Sequence, residues 1–92
     1  MRVRWTPAAA ADLEDIHNYL TKYHPDWARP TVIEIRMAVR SLKRSPNRGR
    51  KGREEETREL LHPRLPYIVA YRVRHETIEV LHIWHAARDR LQ

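Results

Sequence analysis

The stretch from Pro66 to Arg88, PYIVAYRVRHETIEVLHIWHAAR, decides the fold of this chain. It holds the densest run of β-branched and aromatic residues in the sequence, the side chains that suit a pleated, half-buried surface. Tyr67 to Arg74 and Thr77 to His85 read as two strands, with His75-Glu76 at the tip of a hairpin. With a tight tip, Tyr67, Val69, Tyr71 and Val73 share one face with Ile78, Val80, His82 and Trp84, and that face is expected to lie on helices. The opposite face then carries Ile68, Ala70, Arg72 and Arg74 beside Thr77, Glu79, Leu81, Ile83 and His85, with Arg72 opposite Glu79. Three of the six histidines fall in this stretch, which runs into a polar cluster, His85-Ala86-Ala87-Arg88-Asp89-Arg90.

Upstream, Thr57 to His62 reads as a third strand, and Pro63 and Pro66 bracket the turn after it. From Ser45 to Glu56 the periodicity vanishes. Pro46, Gly49 and Gly52 mark a loop in which Arg48, Arg50, Lys51 and Arg53 lead into three glutamates. Glycines beside a lysine suggest phosphate binding, but the G-x-x-x-x-G-K-[ST] spacing that wraps backbone N–H groups around a nucleotide is absent, so nucleotide binding is set aside.

At the N-terminus Arg2-Val3-Arg4-Trp5 alternates polar and apolar side chains, as a short strand does. The Thr6 hydroxyl can cap a helix, and Pro7 at its first position gives up no needed N–H. Ala9, Leu13, Ile16, Leu20 and Tyr23 recur at spacings of three and four and form one apolar stripe. Asp12, Glu14 and Asp15 lie toward its start and Lys22 and His24 toward its end, the order the helix dipole favours. Pro25 stops it. A second stripe, Ala28, Val32, Ile35, Val39 and Leu42, predicts a second helix with Arg36, Arg40, Lys43 and Arg44 in its later turns. Asp26 can cap that helix, but Pro30 removes the N–H that should bond back to residue 26. Regular helix therefore begins nearer Pro30, or the first turn is distorted. Two amphipathic helices so closely joined fold back as an antiparallel hairpin and need a sheet to cover. The fold class is α+β: β-α-α-β-β-β, a helical hairpin packed on one face of a small, mostly antiparallel sheet.

Ninety-two residues build one small domain with a single core. No apolar run approaches the ~18 residues that span a membrane, and no signal-peptide pattern opens the chain, so no membrane partner is expected. The lack of cysteine excludes disulfides and thiolate metal sites and fits a cytoplasmic location. The formal charge is +6, and arginine outnumbers lysine 15 to 3. Arginine's planar fork suits phosphate and carboxylate, which points to nucleic acid or an acidic protein partner; a solvated basic surface gives the same count.

Five pieces in order carry a family likeness. They are Trp5-Thr6-x-x-Ala9 with Asp12-Leu13, Ser45-Pro46-x-x-Gly49-Arg50, Thr57-Arg58-Glu59-Leu60, Pro66-Tyr67-Ile68-Val69-x-Tyr71-Arg72-Val73, and Ile78-x-Val80-Leu81-x-Ile83-x-His85-x-x-Arg88. Together, over nearly all of residues 1–92, they resemble the RelE/ParE superfamily of toxins from bacterial type II toxin–antitoxin modules, and the last two are most similar to the ParE branch. The resemblance implies a single toxin domain. It would be a growth inhibitor of the plasmid-stabilising kind, without a cofactor, held in a hetero-oligomer by a cognate acidic antitoxin, ParD-like or similar. RelE-type members cleave mRNA on the ribosome, whereas ParE-type members are associated with poisoning DNA gyrase, and fold alone does not choose between them. The ParE-like wording favours gyrase. The alternatives are a RelE-like ribosome-dependent mRNA endoribonuclease and an inactive antitoxin-binding domain.

A ribonuclease that forms a 2′,3′-cyclic product needs a base, cations for the charge on phosphorus and an acid. Histidine suits the proton roles and arginine the charge. His85 with Arg58, Arg72 and Arg88 is the candidate set, and His82 is a spare that the face assignment points inward. The plainer reading ends a strand at His85, pairs Arg72 with Glu79, and pairs Arg58 with Glu59 or a neighbouring carboxylate. The chain lacks the lysine cluster and C-terminal tyrosine that RelE enzymes show. For a gyrase-directed surface the resemblance offers Arg88, Asp89 and Arg90. For the antitoxin, an acidic and initially disordered segment is expected to fold into arginine-rich grooves, burying apolar side chains against Leu13, Ile16 and Leu20. No histidine pair has helical metal-ligand spacing, and His82 and His85, three apart on a strand, point to opposite faces, so no metal site is expected.

Overall fold

A computed structural model describes residues 1–89 and the side chains of residues 1–87. The elements run β1 (Arg2–Trp5), α1 (Pro7–Tyr23), α2 (Pro25–Ser41), β2 (Arg50–Lys51), β3 (Arg58–Leu61), β4 (Tyr67–Arg74), β5 (Thr77–His85) and α3 (Ala86–Asp89). The five strands form one sheet in the order β1-β5-β4-β3-β2. β1 runs parallel to β5, and the other pairs are antiparallel. The helical hairpin lies on one face of this sheet, and Leu13, Ile35, Val39, Leu42, Val69, Tyr71, Ile78, Val80 and Ile83 form the core between them. No helix among the described residues is long and apolar enough to cross a membrane.

Thr6 caps α1 as its type suggests: its Oγ accepts the Ala9 N–H at 3.2 Å. The same hydroxyl donates to the Val80 carbonyl at 2.7 Å, so one side chain ties the helix start to β5. The link between the helices is a single residue, His24. α2 begins at Pro25, not near Pro30, and Pro30 lies inside it. The missing bond falls in the second turn, where the carbonyl of the exposed Asp26 can turn to water, so one lost hydrogen bond does not end the helix. The Arg50–Lys51 strand, too short to show in a periodicity, is defined by its pairing with Glu59 and Arg58.

The hairpin tip is as tight as expected. His75 and Glu76 have φ of 52° and 55°, the left-handed pair that a two-residue hairpin turn needs. Arg72 faces Glu79 across the strands. The outer half of the hairpin departs from simple alternation. Tyr71 pairs with Val80 but Ala70 pairs with His82, leaving Leu81 as an extra residue in β5. This bulge inverts every side chain after it. His82 and Trp84, expected on the helix side, stand on the outer face opposite Ala70 and Ile68. Ile83 and His85, expected outside, face the helices opposite Val69 and Tyr67. Ile83 is accordingly in the core, and His82 is exposed.

Tyr71, fully buried, pins the loop after α2 to the sheet. Its hydroxyl donates to the Pro46 carbonyl at 2.7 Å and accepts the Gly49 N–H at 2.9 Å. A Cβ on Gly49 would sit 2.8 Å from the Tyr71 ring, which explains the glycine there.

Candidate functional site

Beyond Trp5, β1 no longer covers β5, and a groove opens between the end of the sheet and the tip of the helical hairpin. Its volume is about 890 Å³. Ile16, Tyr19 and Leu20 of α1, Trp27 and Thr31 of α2, Leu65 and Tyr67 beside the β3–β4 turn, and Ile83 to His85 of β5 form its walls. The rim is aromatic and wet: Tyr19 is 55% and Trp27 60% exposed. His24 stacks on Trp27 with ring centres 4.5 Å apart, and His85 meets Tyr67 edge-on at 5.6 Å. Large apolar side chains gathered at an open concavity mark an interaction surface.

The groove walls are less basic than expected. Among the described residues they include Asp12, Asp15 and Glu34 and no lysine or arginine. Asp12 Oδ2 accepts the Ile83 N–H at 2.9 Å, closing the β5 edge where β1 ends, and lies 3.3 Å from His82 Nδ1. Glu34 is held by Arg64 at 2.9 Å and meets His62 Nε2 at 3.3 Å. Because His62 Nδ1 accepts the N–H groups of Arg64 and Leu65, the proton of the neutral ring sits on Nε2, facing Glu34. Of these three carboxylates, Asp15 has no partner among the described residues.

The opposite face of the sheet is a lattice of ion pairs. Glu79 is clasped by Arg72 at 2.6 Å and Arg4 at 2.7 Å, and Arg50 Nη2 meets Glu59 at 2.8 Å. The Arg4 hydrogen bond, with Arg72 second, holds the Glu79 carboxyl down to about 2. Arg53 lies over the Trp84 ring, 5.9 Å from its centre.

The proposed catalytic residues do not meet. Arg72 is on the outer face, bound to Glu79. Arg58 shares the helix side with His85, but the two flank β4 at Tyr71 and Tyr67 respectively. Four residues along β4 and two strand spacings across separate their backbones by roughly 16 Å. Arg58 instead donates to the carbonyls of Gly49 at 2.9 Å and Asn47 at 3.2 Å, so it anchors the loop after α2. The side chains of Arg88 and Asp89, and Arg90 altogether, lie outside the described residues. Ile16 and Leu20 do line the groove, whereas Leu13 is buried in the core and absent from its walls. Tyr19, His24 and Trp27 are groove residues that the sequence does not single out. Their signal was an aromatic or imidazole ring off the apolar stripe of an amphipathic helix.

Residues 3–90 match the model of the family described as ParE toxin of type II toxin-antitoxin system, parDE. The chain is 41% identical to a protein of Sinorhizobium fredii carried under the name toxin Y4kP, over 92% of this chain and 88% of that one. It is 32% identical to Toxin RelE2 of Caulobacter vibrioides, over 95% of this chain and 97% of that one. Among solved structures, a chain of the chromosomal ParDE TA system from P. aeruginosa superposes with a TM-score of 0.85 at 31% identity, covering 92% and 95% of the two chains. A chain of the toxin-antitoxin complex RelBE2 from Mycobacterium tuberculosis gives 0.61 at 28% identity, covering 91% and 95%.

Proposed function

The chain belongs to the ParE toxin family of type II toxin–antitoxin systems, and on that premise we propose that its groove receives a segment of a cognate antitoxin and that the free toxin acts by binding DNA gyrase. The observation that carries the first part is the open groove with Tyr19 and Trp27 on its rim. Exposed tyrosine and tryptophan beside a pocket are the side chains that dominate binding energy when a partner excludes water from them. The structural relatives come from a ParDE system and a RelBE2 toxin-antitoxin complex, which supports an antitoxin partner for this chain as well. That partner is acidic overall, to suit a body of charge +6, and apolar where it enters the groove.

The gyrase reading is supported by the family description and by the wide separation of His85, Arg58 and Arg72, which leaves a binding mode of action favoured over general acid–base catalysis. The test is expression of the toxin alone, with gyrase cleavage complexes and mRNA ends mapped in the same cells. Gyrase-dependent DNA breaks with intact messages are expected. Codon-periodic mRNA ends without DNA breaks would assign the RelE-like action instead, and unimpaired growth would assign an inactive antitoxin-binding domain.

A further inference from the structure

We propose that the solvent face of α2 is a binding surface for the phosphate backbone of duplex DNA, independent of the groove. At 100° per residue, Arg29, Ile33, Arg36, Met37 and Arg40 fall on one side of this helix, and all are exposed. Arg44 extends the row through the turn that ends the helix, where its N–H bonds the Ser41 carbonyl. From Arg29 to Arg40 the row is ~16 Å long.

What separates these arginines from those on the outer sheet face is the lack of neutralisation. On the outer sheet face Arg4 and Arg72 are bound to Glu79, Arg50 to Glu59, and Arg74 lies 3.8 Å from Glu56. Among the described residues the guanidinium groups of Arg29, Arg40 and Arg44 have no hydrogen-bond or ion-pair partner, and that of the exposed Arg36 lies over the Trp5 ring at 5.7 Å. The one carboxylate the helical period puts on this face, Asp26, is three residues from Arg29 and ~15 Å from Arg36, so it tempers only the first arginine of the row. A stripe of unpaired arginine along a rigid helix is the electrostatic footprint of a phosphate backbone, and the guanidinium fork matches phosphate oxygens.

Duplex is favoured over a single strand because no residue of this row is aromatic and the nearby Trp5 ring is covered by Arg36, leaving no ring on which an unpaired base can stack. It is favoured over an acidic peptide because Ile33 and Met37 make one small apolar pair on a convex face, while the concave apolar receptor, the groove, uses the flank of α2 that holds Trp27, Thr31 and Glu34. The two flanks are about 140° apart around the helix, so both can be occupied at once.

The test is fluorescence anisotropy of the full chain with a labelled duplex of about 20 base pairs, its single strand, and poly-L-glutamate, from about 50 to about 200 mM salt. Four arginine–phosphate contacts give a slope of log K against log salt of about −3.6, a loss of roughly two orders of magnitude over that range. The triple variant Arg29→Ala, Arg40→Ala, Arg44→Ala is expected to bring the slope to about −1. The charge-matched variant Arg2→Ala, Lys22→Ala, Lys51→Ala should keep it steep. The proposal is overturned if both variants lose affinity equally, if the single strand or poly-L-glutamate binds as tightly as the duplex, or if the duplex does not bind at the lowest salt.

Discussion

On the outer face of the sheet Arg4 and Arg72 close on Glu79, and Arg50 closes on Glu59. At the helix side Tyr19 and Trp27 stand on the rim of a groove with more than half of their surface in water. The first surface satisfies itself. Its charges, which in the sequence looked available for a phosphate or a partner, are taken up by one another. The second surface is unfinished, because its apolar rings have no internal partner large enough to cover them. Arg58 and Arg72, which looked chemical, are bound within the fold, and Tyr19 and Trp27, which looked ordinary, line the groove.

The comparison breaks first at the core that holds the two faces apart. Tyr71→Ala should cost about 3–5 kcal/mol in urea unfolding, because it leaves a cavity and frees both the Pro46 carbonyl and the Gly49 N–H. Tyr71→Phe should cost about 1–3 kcal/mol from the unmade hydrogen bonds alone. A loss of under half a kcal/mol in both would mean that the loop after α2 is not pinned through this hydroxyl.

The hairpin tip gives a smaller effect with the opposite sign. Glu76 holds a φ of 55°, which a β-carbon disfavours, so Glu76→Gly should raise stability by about 1 kcal/mol without disturbing either face. A lowered denaturation midpoint would show that the Glu76 side chain does something the turn geometry does not require.

The smallest effect belongs to the outer face. Glu79 ionises at about 2 in the fold against an ordinary value of 4.5. A depressed carboxylate stabilises the fold fully above its unfolded value and loses that contribution as pH falls through its folded value. Urea midpoints of the parent chain should therefore fall more steeply than those of Glu79→Gln between pH 4.5 and about 2. Parallel curves would show the clasp to be without consequence for stability.

Both helices, the two long strands and their tip are legible in the sequence because each rests on a local signal: the Thr6-Pro7 start, the stripes at three and four, and strands bounded at Pro66 and at His75-Glu76. What escaped rests on contacts distant in sequence. The bulge at Leu81 cannot be read from a run in which Val80, Leu81, Ile83 and Trp84 fit either phase of a two-residue period. It is seen only once Asp12, 71 residues away, takes the Ile83 N–H. With the bulge goes the facing of His82, Trp84, Ile83 and His85, and so the shape of the site. Arg58 shows the same limit: nothing near it in sequence says that its guanidinium will hold the carbonyls of Asn47 and Gly49.

The central claim is that the groove is where the antitoxin sits. The most direct measurement is the affinity of the toxin for the product of its neighbouring reading frame, compared between Trp27→Asp and Arg72→Ala. Trp27 is 60% exposed, so its replacement should leave the fold intact while weakening the complex by at least about 30-fold, the loss expected when an aromatic anchor covered by the partner is removed. Arg72→Ala, on the outer face, should leave the affinity unchanged within about two-fold. A complex indifferent to Trp27→Asp but broken by Arg72→Ala would place the partner on the charged face and contradict the account.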